Sequence, residues 1–206
     1  MEIVLATRNA NKLREFRAML HDIDISIVSF GSFPECPEVI EDGKSFAENA
    51  LKKARTIAEY TGHVTIADDS GLEVDLLGGM PGIYSARYAG EEADDRKNNE
   101  KLLKELGGVP MERRGAQFRC VIAVVDPDGA EQIVEGAYRG IIITEPRGNN
   151  GFGYDPVFLD EQSGFTFAEM DPEHKNQVSH RSRAIQELKK ILQGFLEKSR
   201  KSSGGV

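Results

Sequence analysis

The N-terminal segment constrains the fold most, because a short apolar run leads directly into a helical pattern. Residues 3–6 are all apolar, which is typical of a buried strand. Apolar side chains then recur at helical spacing, at Leu13, Phe16, Met19 and Leu20. The polar residues 7–12 therefore lie where a strand gives way to a helix, an arrangement that belongs to α/β proteins.

Strand and helix patterns alternate along the rest of the chain. Ser45 and Glu48 form a capping box that starts a helix. Asn49 and Lys53 are four residues apart on that helix and are therefore predicted to share one face. One strand is predicted to end at Asp68 and Asp69. That strand covers 64–67, and the others are predicted at 25–30, 72–75, 118–125, 131–138 and 141–144, with helices at 45 to about 60, 93–106 and 182–197. The last three strands suggest an antiparallel meander, so the chain is predicted to be α/β with a partly antiparallel sheet.

Composition limits the classes of partner. With 26 Lys and Arg against 34 Asp and Glu the net charge is −8, which disfavours binding to a nucleic-acid polymer and suggests that any anionic ligand is small. The two cysteines, Cys36 and Cys120, are too few for a disulfide framework or a zinc site and fit a reducing cytoplasm. The apolar run at 3–6 is too short for a signal peptide or a membrane span, so no membrane association is expected.

Two polar segments follow predicted strands. Residues 7–12 precede a helix, where free backbone N–H groups and the ammonium of Lys12 favour an anion; helix capping by Asn9 or Asn11 alone is the alternative. Asp68 and Asp69 are adjacent carboxylates that a hard divalent cation would relieve of their repulsion, with magnesium the natural candidate. A simple turn at these aspartates is the alternative.

Two later segments could contact a ligand. Arg181 and Arg183 lie near the start of the last helix, where cations are unfavourable unless an anion is bound. Lys175 is predicted a few residues earlier, on a loop that contains Pro172, and could reach the same anion; pairing with surface acids is the alternative. Residues 148–156 place Phe152 and Tyr154 on a glycine-rich loop, which suits stacking on a nucleobase, although both rings could equally be core anchors.

Six motifs in order together resemble one known family. They are residues 7–12 (TRNANK), 45–50 (SFAENA), 67–72 (ADDSGL), 81–88 (PGIYSARY), 151–156 (GFGYDP) and 179–181 (SHR). In order and spacing they are similar to the non-canonical purine nucleoside triphosphate pyrophosphatases, the inosine triphosphatase-like family. The resemblance covers nearly the whole chain.

The resemblance implies a fold and an activity. The fold would be an elongated two-lobed α/β structure with a mixed sheet, helices packed around it and the active site in the cleft between the lobes. Residues 1–198 would form this domain and 199–206 a flexible C-terminal tail. The protein would be a cytoplasmic homodimer that uses Mg²⁺ to hydrolyse ITP, dITP and XTP to the monophosphate and pyrophosphate.

The resemblance also implies roles for individual residues. Asp69 would accept a proton with Asp68 in support, and Glu41 and Asp69 would bind Mg²⁺, with Glu35 and Glu38 as other acids on the same loop. The residues that would contact the substrate are Thr7, Arg8, Asn9, Ala10, Asn11, Lys12, Lys53, Ser70, Phe152, Gly153, Tyr154, Asp155, Lys175, His180 and Arg181. Arg8 departs from the family, because many relatives have glycine there.

Specificity and two rival functions follow from the same residues. A 6-oxopurine accepts hydrogen bonds where adenine donates them, so donors from the backbone N–H groups of 151–155, His180 or Arg181 would separate the two bases.

Two other functions would use some of the same residues. A pyrophosphatase for modified pyrimidine nucleotides would share the phosphate and metal groups. A nucleotide sensor without hydrolysis would keep only the basic residues.

Overall fold

The computed structural model describes residues 1–203. In these residues the strands are β1 (Glu2–Leu5), β2 (Ser26–Ser29), β3 (Thr65–Val74), β4 (Gly115–Val125), β5 (Glu131–Ile142) and β6 (Phe158–Leu159). The α-helices are α1 (Ala10–Met19), α2 (Phe46–Thr61), α3 (Asp95–Glu105), α4 (Pro172–Val178) and α5 (His180–Ser203). The sheet has the order β2-β1-β3-β4-β5-β6, with β1 parallel to β2 and β3 and β5 antiparallel to β6. The sheet is therefore mixed, which confirms the predicted α/β class.

The chain divides into two compact units. The first contains residues 1–69, 120–136 and the segment from Ser182 onward, and the second contains Ser70–Arg119 and Ala137–Arg181. The chain passes from the first unit to the second within β3, directly after Asp69, and it returns within β4. The family-specific motifs are thus distributed over both units.

The first unit has a core built from β1, β3 and the apolar faces of α1 and α5. Ile3 and Leu5 of β1 are buried, and they cluster with Phe16 of α1 and Leu188 of α5. Phe16 and Leu188 belong to the apolar faces that helical spacing predicts for α1 and α5. Burying each such side chain contributes about 1.5–3 kcal/mol, so the core holds the β1–α1 junction in place.

The second unit has its own, more aromatic core. Phe118 of β4 contacts the rings of Phe158 and Phe167 at centroid distances of 4.6 and 5.8 Å. Leu72 and Val74 of β3 belong to the same cluster. This core holds the second half of β3 and the segment around residues 151–159.

Strand β3 corrects one sequence-based expectation. It does not end at Asp68 and Asp69 but continues through both of them to Val74, so the predicted strand end, the alternative of a simple turn and the separate strand at 72–75 are all wrong. The reason is the apolar pair Leu72 and Val74, which is buried in the second core and keeps the backbone extended. Both aspartates are buried within the strand.

The predicted division of the last strands is also corrected. Residues 131–138 and 141–144 are not two strands, because β5 runs unbroken from Glu131 to Ile142, with β4 and β6 as its neighbours in the sheet. Gly140 permits this pairing, since a Cβ at that position would collide with the backbone oxygen of Leu159. Gly140 therefore allows β6 to approach β5 closely, whereas in the sequence this glycine suggests a break between two strands.

The C-terminal region is more helical than predicted. Pro172 starts α4, capped by Asp171 whose side chain accepts from the N–H of His174, so Lys175 lies on a helix and not on a loop. Helix α5 begins at His180 and continues to Ser203, beyond residue 199, where the flexible tail is predicted to start. No proline or glycine occurs at 195–203 to end the helix. The last three residues of the predicted tail lie outside the described residues.

Within residues 1–203, none of the helices has the length and apolar character required to cross a lipid bilayer.

Candidate active site

The β1–α1 junction is organised by its own side chains. Asn9 is the N-cap of α1, and its Oδ1 accepts from the backbone N–H groups of Asn11 and Lys12 at 2.9 and 3.2 Å. Oγ1 of Thr7 accepts from the N–H of Asn9 at 3.2 Å. The capping interpretation is therefore correct for Asn9. Ala10 is an exposed residue in the first turn of α1.

The side chains of this junction face different partners. Arg8 pairs with Glu38 at 3.1 Å, and both side chains are mostly exposed, at 62% and 78%. Asn11 accepts from Arg14 within α1. Lys12 instead reaches inward, where its Nζ lies 2.9 Å from Oδ2 of Asp68. Lys12 is thus the member of this segment that the structure joins to the aspartates of β3.

Helix α2 supplies the partners of Asp69. Residues 49 and 53 lie one turn apart on the same face, and both are buried. Nδ2 of Asn49 donates to Oδ2 of Asp69 at 3.0 Å. Nζ of Lys53 lies 3.8 Å from Oδ1 of Asp69 and 3.1 Å from Oε2 of Glu41, and it donates to the backbone oxygen of Asp68 at 2.7 Å. The shared face predicted for Asn49 and Lys53 is confirmed.

Asn49 also holds the acidic loop before α2. Its Oδ1 accepts from the N–H of Gly43 at 2.8 Å, and a Cβ on Gly43 would lie 2.6 Å from that same oxygen. One amide therefore joins the backbone beside Glu41 to the carboxylate of Asp69. Sequence reasoning placed Asn49 on the correct face but gave it no role; the signal was its spacing of four from Lys53.

The environment of this cluster shifts the pKa values of Asp69 and Lys53. Burial raises the pKa of Asp69 above its usual range; the Lys53 ammonium opposes this effect and the Glu41 carboxylate adds to it. Burial by itself lowers the pKa of Lys53, but the carboxylates of Asp69 and Glu41 outweigh it, so the net shift is upward. Lys53 is therefore charged at neutral pH, and Asp69 is a stronger base than an exposed aspartate.

The acidic side chains near this cluster differ in whether they face Lys53 or the surface. Glu41 and Asp69 face a common ammonium, whereas Glu38 pairs with Arg8 at the surface. Between Met1 and Ser203 there is no cluster of three or more His, Cys, Asp or Glu side chains arranged to hold a metal by themselves. Glu41 and Asp69 are two oxygen donors, which suits a magnesium ion that takes its remaining ligands from water and phosphate.

In the second unit, two cations lie over one aromatic ring. Nζ of Lys175 is 4.7 Å from the ring centroid of Phe152, and the guanidinium carbon of Arg181 is 5.7 Å from it. Arg181 also donates from Nη2 to Oγ of Ser70 at 3.2 Å. Both cations are buried. The structure therefore brings together Phe152, Lys175, Arg181 and Ser70, as the resemblance implies.

The loop that contains Phe152 is fixed by Asp155. Oδ2 of Asp155 accepts from Nζ of Lys175 at 2.6 Å and from the backbone N–H of Phe152 at 2.8 Å. Gly151 has φ +74°, and a Cβ there would overlap this carboxylate. Asp155 is thus a buried anchor for the loop and for Lys175.

Several predicted donors are already used within the second unit. The N–H of Phe152 donates to Asp155, that of Gly153 donates to Oδ2 of Asp95 at 2.7 Å, and that of Asp155 donates to the oxygen of Phe152 at 3.3 Å. These three N–H groups therefore do not serve as donors to a purine, contrary to expectation. The reason is that a glycine-rich loop needs internal hydrogen bonds to hold one conformation.

His180 and Tyr154 are both buried next to protein groups. The His180 ring stacks on Phe118 with centroids 4.7 Å apart and an interplanar angle of 14°. Tyr154 donates from its hydroxyl to the backbone oxygen of Ser85 at 2.9 Å, and burial, the largest cause, raises its pKa. Tyr154 therefore fits the core-anchor interpretation. No sequence pattern indicates that Phe118 is the partner of His180.

Comparisons with known proteins agree with these motifs. The model of the Ham1 family matches residues 3–191. A "dITP/XTP pyrophosphatase" of Desulforamulus reducens is 51% identical over 93% of this chain and 96% of its own length, and one of Geobacter sulfurreducens is 54% identical over 92% and 96%. The solved structure of a HAM1 protein from Coxiella burnetii has a TM-score of 0.86 at 42% identity, covering 94% of this chain and 99% of that one.

Proposed function

Because the chain belongs to the Ham1 family, we propose that it hydrolyses non-canonical purine nucleoside triphosphates, namely dITP, ITP and XTP, to the monophosphate and pyrophosphate. Such a reaction removes deaminated purine nucleotides from the pool used for nucleic-acid synthesis. The proposal takes its substrate class from relatives named dITP/XTP pyrophosphatase that match over nearly their whole length.

One observation carries the proposal: two buried aspartates in β3 each face a different lysine ammonium. Lys12 lies against Asp68, and Lys53 lies near Asp69. Carboxylates suit a divalent cation and ammonium groups suit a polyphosphate, so this cluster supplies both kinds of contact that a metal-bound triphosphate needs. We assign the triphosphate to Thr7, Asn9 and Lys12, with Lys53 assisting.

Mg²⁺ is the proposed cofactor, held by Glu41 and Asp69. Two carboxylates match its preference for oxygen ligands and leave places for water and phosphate. When bound, the ion would polarise the phosphate and make a coordinated water more acidic.

The protein residues have separate tasks in the reaction. Asp69 accepts the proton of the attacking water. The water oxygen forms a bond to the α-phosphorus, the bond from that phosphorus to the bridging oxygen breaks, and pyrophosphate leaves with the electron pair. Lys12 and Lys53 stabilise the charge on the leaving group, and Asn49 keeps the carboxylate of Asp69 in place.

The base is assigned to the second unit. Phe152 stacks on the purine, and Lys175, His180 and Arg181 are the side chains that we assign to its polar edge. With the N–H groups of residues 152, 153 and 155 engaged within the protein, we assign recognition of the 6-oxo group to side-chain donors and to the N–H groups of residues 151 and 154. A 6-amino group would oppose those donors, which disfavours adenine.

The state of the protein in the cell completes the proposal. We place it in the cytoplasm as a homodimer, with small nucleotides as its ligands and neither a nucleic-acid polymer nor a membrane as partner. The net charge of −8 supports the exclusion of long nucleic acids.

A product assay tests the proposed function. The protein is incubated with Mg²⁺ and, separately, with ITP, XTP, dATP, dGTP and modified pyrimidine triphosphates, and the phosphorus products are identified. Pyrophosphate from ITP and XTP is expected. Release of single phosphates would reject this reaction class, pyrophosphate from the pyrimidine nucleotides alone would favour the rival pyrophosphatase, and no product from any of them would favour a sensor.

A further inference from the structure

The peptide groups on both sides of Gly153 are held by two side chains of α3. The N–H of Gly153 donates to Oδ2 of Asp95 at 2.7 Å, and its carbonyl oxygen accepts from Nδ2 of Asn99 at 2.9 Å. Asp95 and Asn99 are four residues apart and so lie on the same face of the helix. One helix turn thus fixes two successive peptide planes of the loop.

These planes come directly after Phe152. The first plane joins Phe152 to Gly153, so its orientation limits the positions that the Phe152 ring can adopt. Gly153 has φ +63° and open space where a Cβ would be, which means that the glycine is required by its backbone conformation and not by crowding. Such a conformation is readily lost unless neighbouring groups hold it.

The contacts with Gly153 are the main hydrogen bonds that the structure gives to the side chains of Asp95 and Asn99. Asn99 is buried, and within residues 1–203 its Oδ1 accepts no hydrogen bond, so the carbonyl of Gly153 is the contact that its amide makes. Asp95 is exposed, in the first turn of α3, while the N-cap role belongs to Asp94. Neither residue was identified as a site residue from the sequence.

We propose that Asp95 and Asn99 are positioning residues for base recognition: they hold the Phe152 loop in the conformation that stacks on a purine. This inference rests on the proposed function, whose substrate supplies the purine. The residues act through Gly153 and Phe152 and do not touch the substrate. They therefore affect binding of the base, and not the groups around Asp69.

Kinetics of Asp95→Ala and Asn99→Ala test the proposal. Each variant is expected to raise KM for ITP at least about tenfold, the size of a lost hydrogen bond to a charged or buried group, with kcat within about threefold of the wild type. Asp95→Asn keeps an acceptor for the N–H of Gly153 and should retain a wild-type KM. Arg96→Ala, an exposed change on the same helix, is the matched control.

A substrate without a base separates positioning from general damage. Ribose 5-triphosphate, which has no purine to stack, should be hydrolysed by the wild type and both alanine variants at equal kcat/KM. Unchanged KM for ITP in both variants would overturn the proposal, as would an equal loss on ITP and ribose 5-triphosphate. If the wild type releases no pyrophosphate from ITP, the proposed function fails instead, and this outcome is read from the wild type alone.

Discussion

The ammonium of Lys12 lies 2.9 Å from Oδ2 of Asp68, whose side chain is fully buried. Replacing one partner of a buried ion pair leaves the other charge in a poorly solvated place. We expect Lys12→Met to lower the free energy of unfolding by about 3 kcal/mol, and the double variant Lys12→Met with Asp68→Asn to recover part of that loss. Urea unfolding measures both; equal stability of wild type and Lys12→Met would contradict the prediction.

Asp69 is the proposed proton acceptor, so Asp69→Asn should reduce kcat at least about a hundredfold. The amide retains an oxygen that can accept from Asn49, and nucleotide binding should therefore largely survive. Pyrophosphate release gives kcat, and calorimetry gives the affinity for ITP. Asp128→Asn, in an exposed turn, is the control, and activity of Asp69→Asn within tenfold of the wild type would reject the role.

The pH dependence should reveal the charge of Lys53. Asp69 must be ionised to accept a proton, so activity is lost as the pH falls through its raised pKa. The Lys53 ammonium lowers that pKa, and Lys53→Met should therefore move the acidic limb of the kcat/KM profile to higher pH by at least about one unit. The neighbouring exposed lysine, in Lys52→Met, should leave the limb in place; identical limbs in the two variants would exclude this coupling.

Glu41 and Glu38 should differ in their effect on the metal requirement. Glu41→Gln removes a carboxylate that faces the same ammonium as Asp69, whereas Glu38→Gln removes a surface partner of Arg8. We expect Glu41→Gln to raise the Mg²⁺ concentration for half-maximal activity at least about tenfold, and Glu38→Gln to leave it unchanged. Magnesium titration of the initial rate is the measurement, and the reverse ranking would transfer the ligand role to Glu38.

Two glycines with positive φ should respond differently to alanine. At Gly151 (φ +74°) a Cβ overlaps the Asp155 carboxylate, while at Gly62 (φ +66°) the space is open. Both changes carry the conformational cost of about 1 kcal/mol, but only Gly151→Ala displaces the anchor of Lys175 and Phe152. We expect a tenfold or greater increase in KM for ITP, consistent with loss of a buried charged hydrogen bond, in Gly151→Ala alone. A wild-type KM in Gly151→Ala would show that Asp155 does not hold the conformation of the loop that contains Phe152.

Local patterns were sufficient for most of the fold. The capping box began α2 at the correct residue, with Oγ of Ser45 accepting from the N–H of Glu48. Glu48 itself bonds to the N–H of Lys44. Local patterns did not predict that β3 continues through its polar residues or that β5 continues through Gly140. At both places only tertiary packing distinguishes a strand from a turn.

The candidate site was predictable as a set of motifs but not as a set of contacts. The sequence indicated that Lys53 shares a face with Asn49, since helical spacing is local information. It could not indicate that Asn49 joins Gly43 to Asp69, nor that α3 supplies hydrogen bonds to Gly153. Those contacts connect residues far apart in the chain, and each residue type is also common in ordinary capping and surface positions.

The extended backbone at Asp68 and Asp69 makes this region sensitive to changes in length. Neighbouring side chains of a strand point to opposite faces, so Asp68 meets Lys12 while Asp69 meets Asn49 and Lys53. A single residue inserted before Asp68 would exchange the faces of both aspartates. A substitution in β3 therefore alters one contact at a time, whereas an insertion or a deletion would disconnect both lysines from their acids in one step.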